Sequence, residues 1–110
     1  MNQEAENKIT AIIGQLRDEL KSIYPDFRGI YFFGSRARGD YNEDSDVDLV
    51  LVFDRLIDNP LKKKLNKYLY NIELANDLTI DSKIYNHNDI LNPFTPFREN
   101  VYREGLFYAV

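Results

Sequence analysis

The stretch Asp46-Val47-Asp48-Leu49-Val50-Leu51-Val52-Phe53 constrains this chain more than any other. Beyond Asp48 it is wholly apolar, and its three valines favour extended backbone. It reads as a central, buried strand whose first residues carry charge. Side chains alternate along a strand, so Asp46 and Asp48 fall on one face, their Cα atoms about 7 Å apart. Two ionised carboxylates held there repel each other unless a positive charge lies between them. Mg²⁺ meets that need, because it takes oxygen ligands and is commonly held by one or two carboxylates together with substrate phosphates. The bland alternative is an exposed strand start that happens to be acidic, and a D-x-D taken alone does not exclude it.

The remaining pattern supplies the layers that would cover such a strand. Ile9, Ile12, Ile13, Leu16, Leu20 and Ile23 recur at helical spacing and predict an amphipathic helix of about five turns, stopped at Tyr24-Pro25. Ile30-Tyr31-Phe32-Phe33 reads as a second buried strand. Asn59-Pro60 opens a helix, with Asn59 as the cap and a stripe of Leu61, Leu65, Tyr68, Leu69, Ile72 and Ala75. Leu78 to Tyr85 predicts a third strand. Thr95-Pro96 opens a last helix carrying Phe97 and Val101, with Gly105 as its stop. The apolar tail Leu106 to Val110 has three readings open to it: a further strand, packing on the core, or part of a partner interface. The order α, β, β, α, β, α predicts a single domain over residues 1–110, of α/β (α+β) class, with a short mixed sheet flanked by helices. The length of 110 residues suits one core and no more.

Between the first two strands, Gly34 and Ser35 follow the apolar run directly. Glycine lets backbone approach a ligand closely and adopt positive φ. Ser35 adds a backbone N–H and a hydroxyl, and Arg36 and Arg38 add positive charge. A short helix starting here would favour an anion at its N-terminus. A turn with exposed arginines is the plain alternative.

Read together, Phe33-Gly34-Ser35-Arg36-Ala37-Arg38-Gly39-Asp40 followed by Ser45-Asp46-Val47-Asp48-Leu49 resembles the nucleotidyltransferase superfamily, in which Gly-Ser after one strand is followed by Asp-x-Asp on the next. The pattern is most similar to the minimal nucleotidyltransferase group. The resemblance implies the polymerase-beta-like fold and transfer of AMP from ATP. It also implies a Mg²⁺ site, with two ions, at Asp46 and Asp48, and Gly34, Ser35, Arg36 and Arg38 at the nucleotide phosphates. Such enzymes add a third carboxylate from a neighbouring strand, as metal ligand and activator of the nucleophile. Asp81 is the candidate, with Asp77, at the turn before that strand, as runner-up and an acid on an edge strand as the alternative. The resemblance further implies a toxin–antitoxin pair, in which this chain is the antitoxin and adenylylates a tyrosine of a HEPN-type toxin in a hetero-oligomer. Two rivals stand beside it: a binding module that neutralises its partner by covering it, and transfer to a small molecule. Larger relatives carry a second, helical domain, for which this length leaves no room.

Charge and composition narrow the classes further. With 18 acidic and 14 basic side chains the net charge is −4, which argues against a nonspecific nucleic-acid binder. No cysteine is present, so disulfides and thiolate metal sites are excluded. The N-terminus has no apolar leader pattern and no segment approaches 18 apolar residues, so neither a signal peptide nor a membrane association is expected and the expected location is the cytoplasm. His87, the only histidine, lies in a polar Asn86-His87-Asn88-Asp89 loop and is expected at the surface, as is Lys62-Lys63-Lys64 on one helix turn. Among the 15 aromatics, Tyr102, Phe107 and Tyr108 are candidates for a partner-facing surface.

Overall fold

The computed structural model describes residues 3–42, 44–92 and 95–110; Glu43, inside the loop after Gly34, lies outside them. The elements run α1 (Gln3–Ile23), β1 (Phe27–Phe33), α2 (Gly34–Arg38), β2 (Val47–Phe53), α3 (Asn59–Asn76), β3 (Ile80–Asn86), α4 (His87–Leu91), α5 (Pro96–Glu104) and β4 (Leu106–Ala109). The sheet order is β3-β2-β1-β4. β1 is antiparallel to both β2 and β4, while β2 and β3 are parallel, joined through α3. This is the mixed sheet with flanking helices that the sequence predicts.

β2 is central, and the apolar run explains why. Val47, Leu49, Leu51 and Phe53 enter one core with Ile13, Leu16 and Leu20 of α1 and Leu61, Leu65 and Leu69 of α3. Val50 and Val52 enter a second cluster on the opposite face, with Tyr31, Ile90 of α4 and Val101 of α5. Removing a branched aliphatic from either face would leave a cavity and cost about 2–5 kcal/mol. Asp48 belongs by alternation to the second face, at the mouth of the strand.

The apolar tail completes the sheet. β4 lies against β1 with Tyr31 opposite Phe107 and Ile30 opposite Tyr108. The close approach depends on Gly29, at φ +149°, where a Cβ would sit 2.6 Å from the Tyr108 carbonyl oxygen and 2.8 Å from the Phe107 ring. A bulge between Phe27 and Gly29 restores the alternation that buries Phe27 with Ile30 and Phe32.

Several boundaries shift from the sequence reading, each for a local reason. α3 is capped by Asp58, whose carboxylate accepts from the Leu61 N–H at 3.0 Å, leaving Asn59 and Pro60 as the first helical residues. β3 starts at Ile80 rather than Leu78, because Asp77 takes the left-handed conformation (φ 51°) that ends α3. The Leu78 N–H closes that turn onto the Glu73 carbonyl, and the Glu73 carboxylate then accepts from the Ile80 N–H at 3.2 Å. The polar stretch at residues 86–89 is not a loop throughout. The Asn86 side chain accepts from the Asn88 N–H and starts the short helix α4, which buries Ile90.

Candidate active site

Asp48 sits where three strands and a helix meet. Along β2 it is opposite Phe33 of β1 on one side and Asp81 of β3 on the other. Directly paired residues of parallel strands project to the same face, so Asp48 and Asp81 point the same way. Asp46 lies just outside the strand, since β2 begins at Val47, which keeps the ladder going by donating to the Thr79 carbonyl at 2.8 Å. It is exposed, whereas Asp48 is half-buried.

Burial raises the Asp48 carboxyl above its ordinary value. The negative charges of Asp81 and Asp46 raise it further, and Lys83 and Arg38 pull it partly back. The three sequence-predicted acids are therefore close enough to repel, with Asp48 at the centre. Asp81, on the edge strand, is half exposed and forms an ion pair with Lys83 at 3.7 Å.

Gly34 ties the loop to the acid. It begins α2 with φ +80°, and a Cβ there would sit 2.0 Å from the Asp48 Oδ2 atom. Only glycine both adopts that backbone and leaves room for the carboxylate. The helix it opens has no side-chain cap at its first turn and closes on Gly39, whose N–H donates to the Ser35 carbonyl at 2.9 Å.

The two arginines part company. Arg38 is exposed, ion-paired with Asp40 at 3.2 Å, and its charge reaches Asp48. It lines a cleft of about 430 Å³ shared by Phe33 and Gly34 with Phe97, Asn100 and Glu104 of α5. Arg36 faces the α1 side of the sheet. Its Nε donates to the Ser45 carbonyl at 2.8 Å and its guanidinium stacks 4.6 Å from the Tyr41 ring centre. There it lines a separate cavity of about 210 Å³ with Phe32 and Tyr108. Arg36 thus braces the loop that leads to Asp46, from the α1 side of the sheet.

Asp77 caps α3 and lines a surface depression with Tyr70, Glu73 and Thr79. His87 is half-buried beside Arg28, where β2 and β3 end at Phe53 and Asn86, remote from Asp48. Two residues at the site escaped the sequence reading. Lys83 is two residues beyond Asp81 and so shares its face, a signal available from strand alternation alone. Phe97 of α5, whose ring lies 5.0 Å from the Lys83 ammonium and 5.4 Å from the Phe33 ring centre, carried no local signal for this position.

The donors suit a hard cation. Asp48 and Asp81 offer oxygen only, on one face, with the Asp48 carboxylate against Gly34. Among the described residues no group of three or more acids or histidines is placed to hold a metal ion unaided. Carboxylate pairs of this kind commonly hold Mg²⁺ together with substrate phosphates.

A family model for the nucleotidyltransferase domain matches residues 13–109. The chain belongs to the nucleotidyltransferase domain family. This nucleotidyltransferase is 33% identical over 79 residues to a protein of Methanocaldococcus jannaschii named as a candidate protein adenylyltransferase, a match that covers 71% of this chain and 80% of that one. Its fold is that of a Sulfolobus solfataricus protein described as a candidate nucleotidyltransferase (TM-score 0.56, 22% identity, 83% of this chain and 78% of the other). It is also that of a toxin–antitoxin structure with AMP-PNP (TM-score 0.57, 24% identity, 93% and 70%) and of a mutant MntA–HpeT toxin–antitoxin structure (TM-score 0.54, 21% identity, 97% and 71%). Among the described residues, no helix of this enzyme is long and apolar enough to cross a membrane.

Proposed function

We propose that this nucleotidyltransferase moves AMP from ATP to a hydroxyl of a partner protein, and that the acceptor is a tyrosine of a HEPN-type toxin which the chain counters as an antitoxin. The observation that carries the reading is the register of Asp48 against Asp81, with the Asp48 carboxylate seated on Gly34. Acid pair and phosphate loop form one continuous surface. The relative named as a protein adenylyltransferase and the toxin–antitoxin proteins that share the fold support the choice of acceptor and partner.

The chain's own groups divide the work. Gly34 allows close approach of the triphosphate, the N–H and hydroxyl of Ser35 donate to its oxygens, and Arg38 sets a positive charge at the mouth of the α2–α5 cleft. At about 430 Å³ that cleft is within the usual size of a small-ligand site. Asp46, Asp48 and Asp81 would hold Mg²⁺, two ions in all, only together with the nucleotide's phosphates. The metal supplies neutralisation of the phosphate oxygens and activation of the attacking hydroxyl. Asp81 faces the open edge of the sheet, where an acceptor can reach it, and takes the hydroxyl proton. The acceptor oxygen forms its bond to the α-phosphorus as the bond to pyrophosphate breaks, and positioning with charge neutralisation carries the rate. A phenol, with a pKa of about 10, suits an acceptor activated this way.

The partner surface we assign is the opposite edge. Tyr102 and Phe107 are 48% and 44% exposed, next to exposed Leu106 and Val110, while Tyr108 is half-buried against the core. Aromatic residues at a sheet edge suit a protein partner better than a small-molecule acceptor. Intact-mass spectrometry of the protein encoded beside this chain, after incubation with Mg²⁺ and ATP, tests the reading. Added AMP units are expected with the wild-type chain and none with Asp48→Asn. If Asp48→Asn protects cells from that protein as well as wild type, with no mass shift in either case, the chain acts by covering its partner and the transfer reading is wrong.

A further inference from the structure

The Asp48–Asp81 pair already has a cation beside it. Lys83 lies on the same face of β3, one alternation beyond Asp81, with its ammonium 3.7 Å from the Asp81 Oδ1 atom. From the other side α5 presents Phe97, whose ring face lies 5.0 Å from the same ammonium. An ammonium over an aromatic face is held without being neutralised. The charge of Lys83 also reaches Asp48 across the register and offsets part of the repulsion from Asp81 and Asp46. Within the described residues the second basic group acting on Asp48 is Arg38, which is itself paired with Asp40. Lys83 is thus the cation built into the acid pair, and Phe97 is the prop that keeps it there.

We infer that Lys83 is a resident counter-ion of the Asp48–Asp81 pair, occupying its charge before the divalent cation arrives and yielding to that cation when it binds. This rests on the acid pair being the metal site. The physical reason is competition. An ammonium and a divalent ion draw on the same carboxylate charge, and a lysine at a flexible four-carbon reach can leave Asp81 while its ammonium stays over the Phe97 ring. The device lets two acids face each other on one sheet without a bound metal, at the cost of weaker intrinsic metal affinity. It makes metal uptake depend on the phosphates that arrive with the nucleotide, and it assigns Lys83 a positioning role rather than contact with the reacting atoms.

Titration of the nucleotide-free chain with Mn²⁺, followed by electron paramagnetic resonance at low ionic strength, separates this from a merely structural lysine. Lys83→Met keeps the stem and removes the charge, and should tighten Mn²⁺ binding by roughly threefold to tenfold, an effect that shrinks as salt is added. Lys83→Arg keeps the charge and should bind Mn²⁺ as wild type does. Unchanged or weaker Mn²⁺ binding in Lys83→Met overturns the inference, and circular dichroism on the same samples shows whether that variant is folded. Adding Asp81→Asn to Lys83→Met should remove the gain. Asp48→Asn in the wild-type background tests the underlying site separately. If it leaves Mn²⁺ binding untouched, the acid pair is not the metal site. If it abolishes binding while Lys83→Met gives no tightening, the site stands and only the counter-ion role fails.

Discussion

Asp48 and Asp81 are the same residue type, face the same way, and stand at the same level of the sheet, yet the fold treats them oppositely. Asp48 is on the central strand, half-buried, pressed against Gly34, and flanked by apolar residues on both faces of β2. Asp81 is on the edge, half exposed, and paired with Lys83. The central acid is fixed by backbone that cannot move without breaking the core, while the edge acid keeps rotamer freedom and access from solvent. The difference teaches how one sheet can set a rigid carboxylate beside a mobile one, which under the proposed function lets the first define where the phosphate chain lies and the second meet an acceptor.

Substituting the rigid acid should have the largest effect. Asp48→Asn should reduce transfer by at least about a thousandfold in a steady-state assay with labelled ATP, because in the proposed site it removes the central metal ligand. A loss no larger than that of Asp81→Asn would erase the distinction between the two positions. Gly34→Val attacks the seat of Asp48 alone. The added side chain meets the carboxylate and is strained at φ +80°, so ATP binding by calorimetry should be lost and transfer should fall by at least several hundredfold. Unaltered ATP binding would mean that the loop is not the phosphate cradle. Asp81→Asn should cost at least about a hundredfold in rate with little change in ATP affinity, as a group that meets the acceptor's proton would.

Smaller effects come from stability. The folded-state pKa of Asp48 lies above its ordinary 3.8, so the folded chain holds that proton more tightly than the unfolded chain. The contribution is stabilising below 3.8 and is lost as pH rises through the raised value, so stability declines with pH across that window. Asp48→Asn should flatten this part of the pH–stability curve and raise the metal-free melting temperature slightly, whereas Asp81→Asn, which removes only one of the charges that add to burial in raising Asp48, should flatten it in part. Thermal melts between pH 3.5 and 7 read the difference directly, and a decline that persists unchanged in Asp48→Asn would place its origin elsewhere. The smallest effect is expected of Asp77→Asn. Asparagine tolerates the left-handed cap as well as aspartate does, so melting temperature and transfer should stay near wild type. A large loss of activity would return Asp77 to the site.

What the sequence settles by itself is what backbone periodicity settles over a few residues. Alternation put Asp48 at the mouth of a buried strand, and Thr95 and Pro96 announced α5 because a helix start is satisfied by its own next turn. The Gly34-Ser35 loop and the Asp-x-Asp strand were legible for the same reason. Equally local signals mark Asn86 as the cap of α4, Asp58 as the cap of α3, and Lys83 as lying on the face of Asp81. Other features have no local signature at all. Nothing within residues 34–38 separates Arg38, turned to the acids, from Arg36, turned to Ser45 and Tyr41, since that depends on how α2 lies across the end of β1. Whether Leu106–Ala109 joins the sheet depends on Gly29, more than seventy residues earlier in the chain. The pairing of Asp48 with Asp81 is likewise a matter of register between distant strands, fixed when β3 buries Ile80 and Ile84 against the α1–α3 core, since a slip of one residue would turn both to the wrong face. The acids' identities and periodicity are written along the chain, but their meeting is decided only by the burial of whole strand faces at once.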